Sequence, residues 1–212
     1  MIWLKYLLIA VISYFLGNIS FGVIVSKCMA HTDIRQHGSG NAGATNMMRT
    51  LGWIPSVLTL LGDVVKAFMA IVIGRAILPG EWGWKVAGVA VLAGHNWPVL
   101  FGFKGGKGMA SSLGILLATE PIIGVSLFIL QVIVLLITKY MSVASLTTAV
   151  LYPVIILFMY PHDAGYIAFA LIAGLMAVFC HRGNIKRLIN HTEHKLDVSK
   201  IKKFNKTGGS SK

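Results

Sequence analysis

The residues best suited to chemistry lie in one glycine-rich polar stretch of an otherwise apolar chain. The stretch runs from His37 to Asn46 and reads HGSGNAGATN. Its three glycines allow the backbone to fold back so that several N–H groups face one anion. Arg35 and Arg49 flank it with permanent positive charge. We therefore expect this loop to hold a phosphate group.

The same letters fit a dinucleotide-binding fingerprint, because Gly38, Gly40 and Gly43 have the GxGxxG spacing. That fingerprint requires a preceding strand and a βαβ unit, and the surrounding sequence predicts neither. Residues after Gly43 are expected to begin a helix, whose N-terminus favours phosphate without that fold. The alternative is a re-entrant turn whose glycines only permit packing.

A second cluster places two lysines among glycines, in the run Lys104-Gly105-Gly106-Lys107-Gly108. Lysine beside bare glycine backbone suits the close approach of an oxyanion. Nucleotide hydrolysis is disfavoured, because a P-loop needs Ser or Thr directly after its lysine. His95, just upstream, is compatible with three roles: a base, a phosphate ligand or a helix-end partner.

Two further polar clusters follow, at 139–145 and 181–195. Ser142 in the third is open to two interpretations, a substrate ligand or a helix N-cap. The fourth contains His181 and Asn184, and its positive charges could simply end the last apolar segment. Asn184, between a histidine and arginines, is less easily explained in that way.

Composition identifies the setting of these clusters. The chain has 212 residues, 56% of them hydrophobic and 12% charged, whereas soluble domains carry about 25% charged residues. A spanning helix needs about 20 apolar residues. The sequence therefore predicts an all-α, polytopic integral membrane protein with about seven transmembrane helices, at 3–26, 53–79, 83–100, 107–119, 121–138, 142–160 and 163–180. Whether 107–119 spans completely stays open.

Charge predicts the orientation. With seven crossings, all four polar clusters fall on one face, and so do 15 of the 19 Lys and Arg residues. The positive-inside rule then places the N-terminus outside and the C-terminus in the cytoplasm. Residues 1–195 are expected to form a single transmembrane domain, and 196–212 a basic cytoplasmic tail. A net charge of +12 is explained by topology and anionic lipid, so nucleic acid is not an expected partner.

Two charges fall inside a predicted span. Asp63 and Lys66, spaced i, i+3, share one helix face. Charge in hydrocarbon is costly and is usually paired or functional. We favour a structural ion pair, or ties to the cytoplasmic loops, over direct catalysis. Acids are too few and scattered for a two-metal site, so no metal or cofactor is expected.

Together the clusters resemble one family. DIRxxGSGNxGATNxxR at 33–49, GHxxPxxxGFKGGKG at 94–108, SxAS at 142–145 and HRxNIxRL at 181–188 are similar to motifs of the bacterial acyl-phosphate-dependent glycerol-3-phosphate 1-acyltransferases (PlsY type). The likeness extends from about residue 7 to 195. Where the family usually has glycine after the last motif, this chain has His191.

The resemblance implies a multi-pass enzyme of the bacterial cytoplasmic (inner) membrane with its active site facing the cytoplasm. It would transfer the acyl group of a fatty acyl phosphate to the 1-hydroxyl of glycerol 3-phosphate, an early step of phospholipid biosynthesis. The products would be 1-acylglycerol 3-phosphate (lysophosphatidate) and phosphate. Its partners would be both substrates and membrane lipid, with no cofactor.

Each polar residue then has an expected role. The catalytic set is Lys104, Ser142, His181, Asn184 and His95, with the general base left open between the two histidines and a substrate phosphate. The substrate phosphates would be held by Gly38, Ser39, Gly40, Asn41, Gly43, Thr45, Asn46, Arg49 and Lys107.

Two other functions use similar features. A transporter of a small phosphorylated metabolite shares the anion-binding loops and the helices, but it should show a site at mid-membrane and polar groups reaching both faces. A lipid-binding scaffold would tolerate substitutions in the glycine loop without effect.

Overall fold

The computed structural model describes residues 1–196, and these form helices and turns with no strand. Apart from Leu196, the tail predicted at 196–212 lies outside the described residues. The helices are α1 (Ile2–Asn18), α2 (Phe21–Ala30), α3 (Ala44–Leu51), α4 (Trp53–Ile77), α5 (Glu81–Asn96), α6 (Met109–Thr119), α7 (Pro121–Thr138), α8 (Met141–Met159), α9 (Ala164–Cys180) and α10 (Arg182–Ile189).

All seven predicted segments form helices, but their lengths differ. Four runs are long and apolar enough to cross a bilayer: Ile2–Ala30, Trp53–Ile77, Pro121–Thr138 and Met141–Met159. A fifth is added if α9 and α10, bent by 56°, count as one span. Helix α5 has 16 residues and α6 has 11. At about 1.5 Å per residue, α6 is about 16 Å long, so by itself it does not cross a core of about 30 Å.

The first apolar segment is broken, where the sequence predicted a continuous helix. Helix α1 ends at Asn18 and α2 begins at Phe21. At the break, the buried Lys66 Nζ donates to the carbonyl oxygens of Gly17 at 3.1 Å and Ile19 at 2.7 Å. An ammonium thus takes over carbonyls at the end of α1, which stabilises the interruption.

Close helix contacts depend on glycine at specific crossings. A Cβ added to Gly17 of α1 would lie 2.9 Å from the Cα of Gly94 in α5, closer than side chains pack. A Cβ on Gly114 of α6 would overlap the backbone of α4 at Val64. These crossings bring α1, α5, α4 and α6 together around one core. That core includes Ile71, Val91, Ile115, Ile156 and Phe169.

Successive long helices reverse direction, so their connections gather at two ends. At one end Lys85 of α5 pairs with Asp163 at 3.0 Å, and the Tyr160 hydroxyl donates to Glu120 at 2.8 Å. The other end carries all four polar clusters. We call it the polar end. Helix α3, whose start after Gly43 was expected, and α10, which was not, both lie there.

Candidate active site

A cavity of about 510 Å³ lies at the polar end and continues between the helices. It unites residues from all four polar clusters, so the expected convergence of these distant stretches is confirmed. Eleven of the fourteen predicted site residues line it: Ser39, Asn41, Gly43, Thr45, Asn46, Arg49, His95, Lys107, Ser142, His181 and Asn184.

Side chains fasten the first two clusters to each other. Arg35 donates to the carbonyl of Phe101 at 2.9 Å, lies over its ring, and pairs with Asp33 at 2.7 Å. Asn41 donates to the carbonyl of Gly105 at 3.4 Å. Arg35 is therefore a structural tie between the loops, which its position beside the glycine-rich stretch did not reveal.

Asn46 organises the glycine-rich loop from inside. Its amide nitrogen donates to the carbonyls of His37 and Asn41, both at 2.9 Å, and of Ile34 at 3.2 Å. Its Oδ1 accepts from the Ser39 N–H at 2.9 Å. Since both ends of this buried amide are used by the loop, Asn46 shapes the loop and has no group left for phosphate.

Gly38 and Gly40 have different positions from those expected. Neither lines the main cavity, and both have positive φ, 59° and 71°, which favours glycine. A Cβ on Gly38 would collide with the Asn46 side chain. Gly38 is thus a turn residue, whereas Gly40 lines a shallower pocket next to the cavity with Ser39, Lys107 and Arg187.

The N-terminus of α3 forms part of the cavity wall. Gly43, Ala44 and Thr45 line it, and the N-cap, Gly43, makes no side-chain capping bond. The first N–H groups of a helix have no partner within it and attract anions. The predicted phosphate site therefore has its helix N-terminus at the cavity.

Arg49, one turn further along α3, adds a cation. Its Nη2 donates to the carbonyl of His194 at 3.0 Å. Its Nε is buried and has no acceptor among residues 1–196. A buried guanidinium donor without an acceptor is unfavourable, so this atom is suited to bind an oxygen of a substrate in the cavity.

The structure separates the two lysines of the second cluster. Lys107 lines the cavity, and its Nζ donates to Asn184 Oδ1. Lys104 is exposed and does not line the cavity. The expected catalytic position of Lys104 is therefore not supported by its location. The turn through Gly102 and Phe103, with φ of 64° and 60°, directs the chain so that only Lys107 enters.

The glycines between these lysines allow close packing against α5, whereas the sequence analysis expected them to allow the approach of an oxyanion. The Gly106 N–H donates to the His95 carbonyl at 3.0 Å, and a Cβ on Gly106 would overlap the His95 ring. A Cβ on Gly105 would overlap the same carbonyl oxygen. Bare backbone is needed here for packing against the end of α5, and we see no contact reserved for an oxyanion.

Glu193 is a site residue that the sequence analysis missed. It is buried, accepts from Asn184 Nδ2 at 2.7 Å and from Arg187 Nε at 2.7 Å, and lines the cavity. Burial opposes its ionisation, but the hydrogen bonds from Asn184 and Arg187 hold the pKa of Glu193 below its ordinary value. Asn184 is thus fixed between Glu193 and Lys107. The available signal was an acid within a strongly basic stretch.

The cationic surroundings act on Lys107. Burial, then the charges of Arg187 and Arg49, lower the pKa of Lys107 to about 8, although Glu193 opposes the shift. Lys107 is therefore positively charged at neutral pH but close to its titration range.

The two histidines have different environments. His181 Nδ1 lies 2.8 Å from the Ala177 carbonyl oxygen; because a carbonyl only accepts, Nδ1 carries the proton and Nε2 is an acceptor. His95 Nδ1 lies 2.9 Å from Lys66 Nζ and 3.5 Å from Asp63 Oδ1. His95 Nδ1 thus lies between a donor, the Lys66 ammonium, and an acceptor, the Asp63 carboxylate. His181 Nε2 makes no hydrogen bond within residues 1–196, and burial together with the charge of Lys107 lowers the pKa of His181 to about 4.

The ion pair predicted in α4 is confirmed. Lys66 Nζ lies 2.7 Å from Asp63 Oδ1, and both side chains are 2% exposed. Through Lys66 this pair reaches the break in the first segment, and through His95 it reaches the second polar cluster. It therefore joins α1, α4 and α5 next to the cavity.

Ser142 is the second residue of α8, whose N-cap is Tyr140. The N-cap interpretation of Ser142 is therefore wrong, and its buried side chain lies in the cavity wall. In residues 1–196 we find no group of three His, Cys, Asp or Glu side chains able to hold a metal ion.

Below these polar groups the cavity becomes apolar and opens sideways. Trp53 and Val57 of α4 and Phe128, Val132 and Leu136 of α7 line it and are also between 38% and 63% exposed. The cavity therefore has an apolar side opening between α4 and α7.

Comparison with known proteins gives a consistent result. The sequence model of the family described as glycerol-3-phosphate acyltransferase matches residues 7–191. The glycerol-3-phosphate acyltransferase of Alkaliphilus metalliredigens is 43% identical over 90% of this chain and 95% of its own length. That of Clostridioides difficile is 43% identical over 92% and 98%.

Two solved structures are also similar. Both are of PlsY, an integral membrane glycerol 3-phosphate acyltransferase. Its glycerol 3-phosphate form is 34% identical, with a TM-score of 0.85 over 92% of this chain and 98% of the other. Its lysophosphatidic acid form is 32% identical, with a TM-score of 0.83 over 92% and 97%.

Proposed function

Because this chain belongs to the glycerol-3-phosphate acyltransferase family, we propose that it transfers the acyl group of a fatty acyl phosphate to the 1-hydroxyl of glycerol 3-phosphate. The products are 1-acylglycerol 3-phosphate and inorganic phosphate. One observation carries the proposal: a single cavity joins a cationic, hydrogen-bonding head to an apolar channel. This arrangement matches a substrate pair with phosphate groups at one end and a fatty chain at the other.

The acyl phosphate donor fits the residues present. It is a mixed anhydride that carries its own leaving group, so the enzyme needs no covalent nucleophile. The oxygen of the 1-hydroxyl bonds to the carbonyl carbon of the acyl phosphate. The bond between that carbon and the oxygen that bridges to phosphorus breaks, and phosphate leaves with the bonding electrons. The protein then has to position two anionic substrates and stabilise charge.

The phosphate groups are assigned to the cationic head. The uncapped N-terminus of α3 at Gly43 to Thr45 supplies donors from one side, and so does Arg49 Nε, which has no acceptor among residues 1–196. Lys107 supplies positive charge from the other, held by Asn184. We assign this charge role to Lys107 and not to Lys104. Ser39, Asn41 and Ser142 complete the polar wall.

The proton of the attacking hydroxyl goes to His181 Nε2 or to a substrate phosphate. His181 is preferred to His95, because its Nδ1 donates to the Ala177 carbonyl and leaves the Nε2 lone pair to accept a proton, while burial keeps the imidazole neutral by lowering its pKa to about 4. His95 instead positions the second cluster, through its contacts with Lys66 and Gly106.

The side opening between α4 and α7 is the proposed entrance for the donor. It lets a fatty chain pass from the bilayer into the cavity while the phosphate moves to the polar end. Glycerol 3-phosphate, which is soluble, enters from the aqueous face through the shallow pocket lined by Gly40 and Arg187.

We further propose seven crossings, with the first crossing broken and α6 short, in the bacterial inner membrane. The N-terminus lies outside and the C-terminus and active site face the cytoplasm. Support comes from the clustering of 15 of the 19 Lys and Arg residues on one side under this topology. Residues 1–195 act as one transmembrane domain, since one core joins α1, α4, α5, α6, α7, α8 and α9.

Purified protein in nanodiscs tests the reaction. With palmitoyl phosphate and labelled glycerol 3-phosphate we expect labelled lysophosphatidate and an equal amount of free phosphate. Phosphate release should depend on glycerol 3-phosphate. Palmitoyl-CoA should give no product; product from palmitoyl-CoA alone would overturn the assigned donor. The matched control is Lys107→Ala.

The transporter alternative is tested in the same preparation. It predicts uptake of glycerol 3-phosphate into proteoliposomes without product. The cavity supports the enzyme, because its cationic lining residues, Arg49 and Lys107, lie at the polar end and side chains of the core close the other end. Uptake in the absence of acyl transfer would reverse the choice.

A further inference from the structure

The cavity ends at a definite depth along α8. The lining residues Ser142, Ser145, Thr148, Ala149 and Tyr152 recur every three or four positions and share one helix face. Ile156 is the next residue on that face, and it is completely buried in the core and does not line the cavity. Tyr152 is therefore the deepest lining residue of this helix.

The neighbouring helices also line the cavity to a limited depth. The deepest lining residue of α9 is Ala173, that of α6 is Leu116 and that of α7 is Gly124. One turn below Ala173, Phe169 is buried in the core and does not line the cavity. Tyr152 therefore forms the floor of the channel on the side of α8 and α9, and Leu116 and Gly124 line its end on the side of α6 and α7.

The floor rests on packed aromatic rings. The Trp84 ring lies 5.0 Å from that of Phe169 and 5.1 Å from that of Tyr166, both edge to face. The Tyr160 ring lies 5.2 Å from that of Tyr166, and its hydroxyl is held by Glu120. Well-packed cores resist added volume, at a typical cost of about 1–3 kcal/mol. A longer ligand therefore cannot readily displace the floor.

The depth of the channel is about equal to the thickness of one leaflet's hydrocarbon layer. Ten residues separate Ser142, at the polar head, from Tyr152, which corresponds to about 15 Å along the helix. The hydrocarbon core of a bilayer is about 30 Å thick. A fatty chain that starts at the polar head thus meets the Tyr152 ring after about half of that distance.

We propose that Tyr152 is the stop that sets the longest acyl chain this protein accepts. The inference rests on the proposed function, and it names a specificity residue for the donor. The Tyr152 ring closes the channel on the side of α8, is 8% exposed and belongs to the same core as Trp84, Tyr166 and Phe169. Chains that reach the ring fill the channel along α8, and further methylenes find no space below the ring.

The test measures kcat/KM for saturated acyl phosphates from lauroyl to arachidoyl. Tyr152→Ala deepens the channel, and the ratio of stearoyl to myristoyl activity should rise at least about tenfold, since one methylene in an apolar pocket changes discrimination by 10–200-fold. Ala149→Leu, one turn above, raises the floor and should lower the same ratio. If Tyr152→Ala does not accumulate, Tyr152→Val replaces it.

Two controls isolate the ring. Tyr152→Phe keeps the ring and removes the hydroxyl, so its chain-length profile should match the unaltered protein. Val150→Ala changes the exposed face of α8 and should also leave the profile unmoved. The proposal would be overturned if the optimal acyl-chain length were unchanged in both Tyr152→Ala and Ala149→Leu. It would also be overturned if Tyr152→Phe shifted the chain-length profile as much as Tyr152→Ala does.

Failure of the proposed donor gives a different result. In that case no acyl phosphate of any length yields product with the unaltered protein. The chain-length series is then repeated with the acyl thioester that the protein accepts, and the same shifts decide whether Tyr152 is the stop.

Discussion

Lys107 and Asn184, 77 positions apart in the chain, meet at the centre of the cationic head, where the lysine Nζ donates to the amide oxygen. Asn184 in turn donates to Glu193, which also holds Arg187. This chain of contacts fixes the lysine from behind and leaves the opposite side of the cavity to the α3 N-terminus. The assignments of Lys107 and of its neighbours can be tested separately.

Lys107→Ala should lower kcat/KM by about 10²–10³, the usual effect of removing one preorganised donor to developing charge. Lys104→Ala is the matched control, because that lysine lies in the same loop but is exposed. It should change kcat/KM by less than about threefold, since surface charges interact weakly. The measurement is acyl transfer by equal amounts of folded protein. A large loss in Lys104→Ala with a small one in Lys107→Ala would reverse the assignment.

The rate should fall above pH 8 in the unaltered protein. Burial and neighbouring arginines lower the pKa of Lys107 to about 8, so its positive charge is present below that pH and is lost as pH rises through it. Because kcat/KM reports ionisations of the free enzyme, its descending limb should have this midpoint. Lys107→Arg keeps the charge at higher pH and should move the limb upward. If the descending limb of the pH profile had the same midpoint in the unaltered protein and in Lys107→Arg, Lys107 would be excluded as the group that titrates.

Lys66→Met should destabilise the helix bundle. It leaves the carboxylate of Asp63 buried without its partner and frees the carbonyls of Gly17 and Ile19. Breaking a buried ion pair by removing one partner costs about 3–5 kcal/mol. The yield of folded protein and its melting temperature in detergent should both fall.

The double variant Asp63→Leu/Lys66→Met distinguishes charge from packing, because it removes both charges. It should recover part of the lost melting temperature. Lys5→Met, at an exposed lysine, is the control for loss of one positive charge and should leave the melting temperature unchanged. No loss in Lys66→Met would mean that the pair is not structural.

His191→Gly should stabilise the protein. His191 follows α10 with φ of 55°, a left-handed conformation that costs other residues about 1–2 kcal/mol relative to glycine. In a domain of this size a gain of about 1 kcal/mol raises the melting temperature by about 2–4 °C. Asn190→Gly, at φ of −85°, is the control and should give no gain. A lower melting temperature in His191→Gly would show that the imidazole makes a stabilising contact.

The sequence was sufficient for features that depend on local pattern. Helix α7 has the predicted bounds, 121–138, because a proline opens a long apolar run and Lys139, in the left-handed conformation, ends it. The start of α3 followed from Gly43 in the same way. The convergence of the polar clusters needed only the alternation of helix direction.

Features that depend on distant contacts were not predictable. The break after Asn18 is stabilised by Lys66, 47 positions from Ile19, and the neighbouring sequence contains no sign of that contact. Lys104 and Lys107 have nearly the same neighbours in sequence, and the turn at Gly102 and Phe103 decides which of them enters the cavity. Glu193 acquires its role only because α10 folds back over the polar end.

The side opening between α4 and α7 has a kinetic consequence. A donor that enters there arrives by lateral diffusion in two dimensions, and its chain exchanges one hydrocarbon environment for another. Turnover is then governed by the mole fraction of donor among the surrounding lipids, not by its amount per volume of solution. Adding inert phospholipid at constant total donor should slow the reaction, as surface dilution requires.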